Sequence, residues 1–509
     1  MTSGQHKLAP GGGCYQYWLT RYVFLRGLGL IYLLAFLVLS QQLRPLIGHD
    51  GLLPADRYLE ALQAANGTRL DAFVSLPTLF WLDVSDGFMS AVAAAGVALA
   101  LVVLAGYANV PLLALLWFLY MSFIHVGQLF YGYGWEILLL EAGFLAIFLC
   151  PGLDPRPFPA RTPPPVLVIW LLRWVLFRVM LGAGLIKLRG DACWRDLTCM
   201  LYHYETQPLP NPLSWYLHHL PPLAHRFEVL FNHFVELIVP WTLFAPRRLR
   251  QLGGVFLVAF QVLLIISGNL SWLNWLTITL CIVCFDDAAL GWLFPRRLRA
   301  RVAGLEARSS RMRQILTAGL ALVVASLSIG PVQNLLGARQ VMNGSFDRLH
   351  LVNTYGAFGS VGQRRYEVII EGAADDVVTP STQWREYEFR CKPGDVRRRP
   401  CVVAPYHYRL DWQIWFAAMS DAAHNPWLVH FIAKLLEGDP GAVSLLANNP
   451  FPERPPRAVR AELYEYAFTP WEDSSGAWWT RRRVGEYLPP LTRDDLRLSR
   501  FLERYGWER

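Results

Sequence analysis

Lys187 is the residue whose type and position most invite a chemical role. It closes the apolar run VMLGAGLI (Val179 to Ile186), where an ammonium group has little water around it. Burial disfavours the charged form, so a lysine in such a place can work as a general base. Ionisable groups at membrane depth are also costly to hold and mark functional sites. The same position suits a structural lysine that snorkels to the interface or pairs with Asp191 or Glu141. A few residues on, WRDLTCMLYHYETQPLPNP (Trp194 to Pro212) gathers Cys199, His203, Glu205, Gln207 and three prolines. His203 and Glu205, with His218, His219 and His225, are metal-ligand types. Spacing of i, i+2 suits a strand rather than one helix face, however, and a structural zinc needs four defined ligands. No His-Glu-x-x-His or doubled Cys-x-x-Cys pattern occurs, and no Gly-x-Ser-x-Gly elbow that would mark a lipase-like hydrolase. Neither a metal nor a cofactor is predicted. Tyr202, His203 and Glu205 are expected instead to hydrogen-bond within a loop stiffened by Pro208, Pro210 and Pro212. Trp194, His203, Glu205, Gln207, Pro208 and Pro210 then form a structural or recognition loop.

The elements that must position these groups are membrane helices. The chain has 509 residues, 54% hydrophobic and only 17% charged, with a mean hydropathy of +0.27. Soluble domains carry about 25% charged residues, and here the apolar residues fall in runs near the length that crosses a bilayer. Nine spans are predicted, at roughly 20–40, 88–106, 110–130, 134–150, 165–186, 227–244, 252–268, 270–285 and 314–331; the fourth and eighth are short. The first run lacks a small-residue cleavage site and reads as a span, not as a signal peptide. The densest basic cluster, Arg296, Arg297, Arg299, Arg301, Arg308, Arg311 and Arg313, is assigned to the cytoplasm. Arg247, Arg248 and Arg250 lie two spans earlier, Arg156 and Arg161 two earlier again, on the same side. Counting back puts the N-terminus with Lys7 inside, and 41–87, 187–226 and 332–509 outside. The formal charge of +8 sits beside the spans and is no nucleic-acid signal. Of 47 basic residues only four are lysine, a bias that points to a GC-rich genome. Intramembrane Glu136, Glu141, Arg173, Arg178, His125, Gln128 and Glu236 need partners inside the bundle, with Arg178 set against Glu141 or Glu136. A transporter would be expected to show inverted repeats or matched broken helices, and none is legible.

The tail is of different material. RYEVIIEG (Arg365 to Gly372) and REYEFRC (Arg385 to Cys391) alternate as strands do. LDWQIWFAAM (Leu410 to Met419) and PWLVHFIAKLLEG (Pro426 to Gly438) have helical spacing. The fold class is an α-helical polytopic membrane bundle followed by an exoplasmic α+β domain with a small antiparallel sheet. Its parts are a cytoplasmic arm at 1–19, a multi-pass domain at 20–331 and the C-terminal domain at 332–509. Aromatic Trp412, Trp415 and Phe416, and the pair Trp478-Trp479, either anchor a partner or lipid or pack the tail onto the bundle. Four cysteines fall on the predicted outer face, as local pairs Cys193/Cys199 and Cys391/Cys401. Such sorting suits two structural disulfides in an oxidising compartment, with four free thiols as the alternative. Cys281-x-x-Cys284 has redox spacing but lies in lipid, where it reads as packing. The sequons at Asn66, Asn269 and Asn343 also fall outside.

RVMLGAGLIKLRGDACWRDLTCMLYHYETQPLPNPLSWYLHHLP (Arg178 to Pro221) resembles the signature region of the lipase maturation factors. The likeness continues in GHDGLLPA (Gly48 to Ala55), GWEILLLEAGFLAIF (Gly134 to Phe148), NTYGAFGSVGQRRYEVIIEG, EYEFRCKPGD, APYHYRLDWQIWFAAM and LLANNPFP, and so spans nearly the whole chain. It implies a multi-pass membrane protein that helps client secreted lipases reach a folded, exported form without itself being an enzyme. The loop after the fifth span and the tail would then face the lumen, in agreement with the orientation counted from the basic residues. In animals the family resides in the ER membrane; a bacterial member would sit in the cytoplasmic membrane facing the periplasm. The chain end YGWER shows no ER retrieval signal, which leaves the compartment open. The region GLIKL…W also looks like the membrane domain shared with vitamin K-dependent carboxylases, where a lysine serves as base. That resemblance supplies the rival expectation, an integral-membrane enzyme using Lys187.

Overall fold

The structure is a computed structural model that describes residues 16–159, 162–305, 310–375 and 377–507. Lys7 and Cys14 of the N-terminal arm, and Arg161 and Arg308 from the basic count, lie outside the described residues. Each of the nine predicted apolar segments falls on helix. They are α1 (Trp18–Ile47), α2 (Asp86–Ala105), α3 (Val110–Val126), α4 (Gly134–Leu149), α5 (Val166–Arg189), α6 (Pro222–His233), α7 (Arg247–Ser267), α8 (Leu273–Cys281) and α9 (Arg311–Leu327). Side-chain caps start several of them. Ser85 accepts from Phe88 N at 3.3 Å, Asn109 from Leu112 N at 3.0 Å, and Ser310 from Arg313 N at 3.2 Å, each satisfying an orphan amide of the first turn. α6 runs on through a π-helical turn (Phe234–Ile238) and a 3-10 turn (Val239–Phe244), and α9 continues into Ile329–Leu336.

Among the described residues six helices are long and apolar enough to cross a bilayer: α1, α2, α5, Pro222–Phe244, α7 and Arg311–Leu336. A seventh, Leu273–Cys284, reaches that length only together with Asp287–Leu293, across a 115° bend. α3, with 17 residues, and α4, with 16, are shorter, and α4 carries Glu136 and Glu141. About 30 Å of hydrocarbon needs about 20 helical residues, so length alone assigns six or seven spans rather than nine.

Contacts separate two ends of the bundle. At one end Asp287 accepts from the amides of Trp18 and Leu19, Arg21 donates to Thr162 O, and Arg313 donates to Cys150 O. Arg247 pairs there with Asp286. At the other end Gln42, Phe130, Glu136, Lys187 and Asn269 meet the segment 187–226 or the tail. The nine helices alternate between these ends in chain order.

The tail builds on a four-stranded antiparallel sheet ordered β2-β1-β5-β6: β1 (Arg365–Ala373), β2 (Arg385–Glu386), β5 (Ala458–Phe468) and β6 (Trp479–Thr492). β1 pairs in unbroken register with β5, from Arg365 opposite Tyr466 to Ala373 opposite Ala458. The predicted strand 385–391 is cut in two. Its second piece, β3 (Glu388–Phe389), leaves the sheet to pair with β4 (Leu446–Asn448). The predicted helices appear as α10 (Arg409–Ala417) and α11 (Pro426–Glu437), the second stopped by Gly438 at φ 70°, a left-handed position that suits glycine. A last helix, Leu496–Tyr505, packs beside α11 through Trp507, which stacks on His430.

Candidate functional site

The segment after α5 is not an irregular loop. Three short helices, Ala192–Arg195, Met200–Thr206 and Pro212–His218, carry it across the end of the bundle. Pro208 and Pro210 lie between the second and third of them and Pro212 opens the third, while His203 and Glu205 sit on a helix, so the i, i+2 argument places them on different sides of it. A disulfide joins Cys193 to Cys199 across a turn whose Leu197 has φ 59°.

Lys187 lies buried at the root of this segment, and its ammonium is 2.7 Å from both carboxylate oxygens of Glu236. Neither Asp191 nor Glu141 is its partner. Asp191 instead accepts from Val361 N at 2.7 Å. The π-helical turn matters here: one extra residue per turn rotates Glu236 inward, and such turns recur at functional positions. The Trp194 ring covers the ammonium at 4.9 Å, and its indole N–H donates to Phe358 O at 2.8 Å. Both carboxylate oxygens of Glu236 thus occupy the Lys187 Nζ, which leaves it engaged in an ion pair rather than facing an open site. His203 stands nearby, edge-on to Phe358 at 5.0 Å. Burial, helped by the Lys187 charge, pushes its imidazole down to about 4.

The remaining predicted residues tie the segment to the tail. Glu205 accepts from Phe468 N at 2.8 Å, and burial raises its carboxyl above the ordinary value. The buried guanidinium of Arg365, at the start of β1, donates to Glu205 O, Gln207 O and Pro208 O at 2.9, 2.5 and 2.9 Å. The same group pairs with Glu367, whose other oxygen lies 3.0 Å from Lys392. Gln207 donates to Ser214 and to Ser267 O, the last carbonyl of α7. Trp415 donates to Thr206 O at 3.2 Å. Asn269 clamps both sides, donating to Leu209 O and Cys401 O and accepting from Val403 N. That leaves its sequon buried, with the Asn269 amide engaged on both sides. Cys401 is bonded to Cys391, so the second predicted pair is also a disulfide. Trp194, His203, Gln207, Pro208 and Pro210 are all buried.

Inside the bundle the polar residues find partners from distant stretches. Arg178 pairs with Glu141, and not with Glu136. Glu141 also accepts from Asn353 N at 3.0 Å and Tyr355 O–H at 2.6 Å, while Arg178 donates to Asn353 O at 2.5 Å. The motif NTYGAFG is thereby locked onto α4 and α5. Gly182 and Gly190 allow this approach, since a side-chain carbon on either would collide with the carbonyl of Tyr355 or Gly359. Glu136 is answered by Arg409 of the tail at 2.8 Å, with Tyr120 donating to the same carboxylate. Arg173 meets no carboxylate among the described residues and donates to Val283 O and Tyr17 Oη. Among the described residues no three His, Cys, Asp or Glu converge as a metal site.

Comparison with known proteins decides the family. Residues 19–292 match the model of the lipase maturation factor transmembrane domain, and 351–489 match the lipase maturation factor C-terminal domain. "Lipase maturation factor 1" of Bos taurus is 51% identical over 506 residues, covering 94% of this chain and 90% of that one. The Homo sapiens protein of the same name is 49% identical, with 96% and 90% covered. "Lipase maturation factor 2" of Xenopus laevis is 31% identical, with 99% and 85% covered. The chain belongs to the lipase maturation factor family. No solved structure matches it.

For this lipase maturation factor, reading the residues alone missed Arg365, Asn269, Asn353 and Arg409, which carry most of the junction. Three of the four lie inside or beside motifs already quoted for the resemblance. Their signal was polar residues embedded in otherwise apolar or aromatic motifs, which solvent exposure would not require.

Proposed function

We propose that this lipase maturation factor is a non-enzymatic membrane protein that assists folding, assembly and export of secreted lipases. The observation that carries the reading is the match to proteins named for lipase maturation, at about half identity over nearly the whole chain. The geometry of Lys187 supports it over the enzyme reading, because its ammonium is neutralised by Glu236. The segment 187–226 and the tail act as one braced platform on the exoplasmic side. Two disulfides on that face support this placement, since such bonds persist in oxidising compartments. The alternation of nine helices between two ends supports nine crossings, with α4 buried inside the bundle and α3 buried over its second half. The membrane is the ER membrane in a eukaryotic cell and the cytoplasmic membrane in a bacterium. Client lipases meet the platform while apolar surface is still exposed, and the chain contributes transient cover. The domain limits 1–19, 20–331 and 332–509 follow from the same reading.

The test is deletion of the gene in its own host, followed by measurement of secreted lipase activity and of aggregated lipase. Loss of activity with intact lipase synthesis, restored by the full chain, is expected. Unchanged maturation of every secreted lipase refutes the proposal. Labelling of an engineered cysteine at Ser474 by an impermeant reagent from the cytoplasmic side refutes the topology.

A further inference from the structure

Most of the aromatic side chains at the junction are buried, but one group is not. Trp471 is 58% exposed and Tyr216 is 48% exposed. Trp471 stacks on Trp215 with ring centres 5.2 Å apart and planes 22° apart, and it meets Tyr216 edge-on at 6.1 Å. The Trp215 indole N–H donates to Thr469 Oγ1 at 3.2 Å, so the tail's turn 470–476 is pinned to the short helix Pro212–His218. That helix is itself fixed at a known level. Ser214 Oγ donates to Ser267 O at 2.7 Å and Asn211 Nδ2 donates to Ile266 O at 3.0 Å, both carbonyls belonging to the last turn of α7. The helix then passes through Pro221 into α6, the first turn of another membrane-length segment.

The cluster therefore stands where two membrane-length helices end together. The apolar surface around it is continuous with theirs: Leu263 and Ile266 on α7, and Leu223 and Phe227 on α6, are all exposed. Tryptophan and tyrosine are enriched at this level of a bilayer because one end of each ring is apolar and the other forms hydrogen bonds.

We propose that Trp215, Tyr216 and Trp471 form a membrane-interface anchor that seats the tail's turn 470–476 in the phospholipid headgroup region. The occupant of the exposed face is the bilayer itself, since the lipid-facing stripes of α6 and α7 run directly into it. Glu472 and Asp473 follow Trp471 directly, and the anchor accordingly takes zwitterionic rather than anionic headgroups. The tail is thus held to the membrane at a point of its own, besides its buried contacts with the bundle.

The test places a nitroxide on Glu472→Cys in the full chain carrying Cys14→Ser, reconstituted in phosphatidylcholine nanodiscs. Cys150, Cys281 and Cys284 are buried and the other cysteines are disulfide-bonded. Power saturation is expected to show the label more accessible to oxygen than to a water-soluble nickel chelate, at headgroup depth. Adding Trp471→Ser is expected to shift the label into water while the thermal transition stays in place, because Trp471 is largely exposed. A label that is fully nickel-accessible with Trp471 present overturns the proposal, as does a depth that Trp471→Ser leaves unchanged. Nickel access that falls only when an unfolded lipase is added also overturns it, and assigns the patch to clients.

Discussion

Replacing Arg409 by Met strands Glu136, and the size of the penalty follows from the geometry. Both side chains are fully buried, with Arg409 Nη2 2.8 Å from Glu136 Oε1. Arg409 also donates to Phe130 O at 2.6 Å and lies 3.7 Å above the Tyr131 ring. Burial alone would lower the Arg409 guanidinium. The charge of Glu136, aided by the nearby phenols of Tyr131 and Tyr120, more than offsets this and raises it. Removing one partner of a buried pair costs about 3–5 kcal/mol. A second route gives the same size: a stranded carboxylate escapes by taking up a proton, which at pH 7 costs about 3–4 kcal/mol for an ordinary glutamate. Arg409→Met is therefore expected to destabilise the chain by about 3–4 kcal/mol. Glu136→Leu combined with Arg409→Met removes the pair without stranding either charge and should recover at least about 2 kcal/mol. Denaturant titration of the four proteins in one detergent, read by protease resistance of the tail, completes the double-mutant cycle. Single effects under about 1 kcal/mol, or effects that simply add, would refute the claim that the tail supplies a buried counter-charge to the bundle.

Lys187→Met and Glu236→Leu are each expected to lower the yield of folded protein, and the double variant to recover part of it; loss of lipase maturation with unchanged folding in Lys187→Met alone would instead point to chemistry. Cys193→Ser with Cys199→Ser should lower stability by about 2–3 kcal/mol from the reopened short loop, with the Cys391 and Cys401 pair of similar size; thermal melts with and without reductant measure both. His203 and His218 both titrate at about 4, chiefly through burial, so the unfolded chain takes up their protons first as pH falls below about 6.5. Stability from these groups is complete above that value and is lost down to about 4, whereas Glu205, raised by burial, contributes more on acidification. The drop in melting temperature between pH 7 and pH 5 should accordingly be smaller in His203→Gln and His218→Gln than in the parent chain.

What was legible in the sequence and what was not have different physical origins. Helices announce themselves through local composition, and all nine apolar segments fall on helix, because a run of apolar residues is a property of neighbours. Length was less well read: α3 and α4 are too short to pass as spans alone, since segments buried within a bundle need not match the bilayer by themselves. β1 was visible because it alternates, while β5 and β6 were not called, although they are the longest strands. The run RRR at Arg481 to Arg483 hides the period of β6; Glu386, Glu465 and Glu462 pair with these arginines one by one. Cysteine pairing was legible because each pair is local. The partners of Lys187 and Glu136 were not, because each lies on an element distant in sequence, and charge type does not say which of many acids or bases will be opposite.

The pairings themselves bear on how the molecule is put together. Glu136 and Glu141, on one short helix, draw their charged partners from later in the chain: Arg178, with Asn353 and Tyr355, for Glu141, and Arg409 for Glu136, beside Tyr120 of α3. A helix of 16 residues carrying two unanswered carboxylates is a poor membrane segment, because ionisable groups at membrane depth are costly unless they are paired. Its charges become tolerable when α5 and the tail surround it. The tail is therefore part of the bundle's electrostatics as well as its outer surface, and Arg365 and Asn269 extend the same logic outward, joining the braced segment 187–226 to the sheet. Buried hydrogen bonds and ion pairs thus join this platform to the helices beneath it. Under the proposed function a surface braced in this way offers one face to client lipases, and the proposed aromatic anchor sets its height at the bilayer.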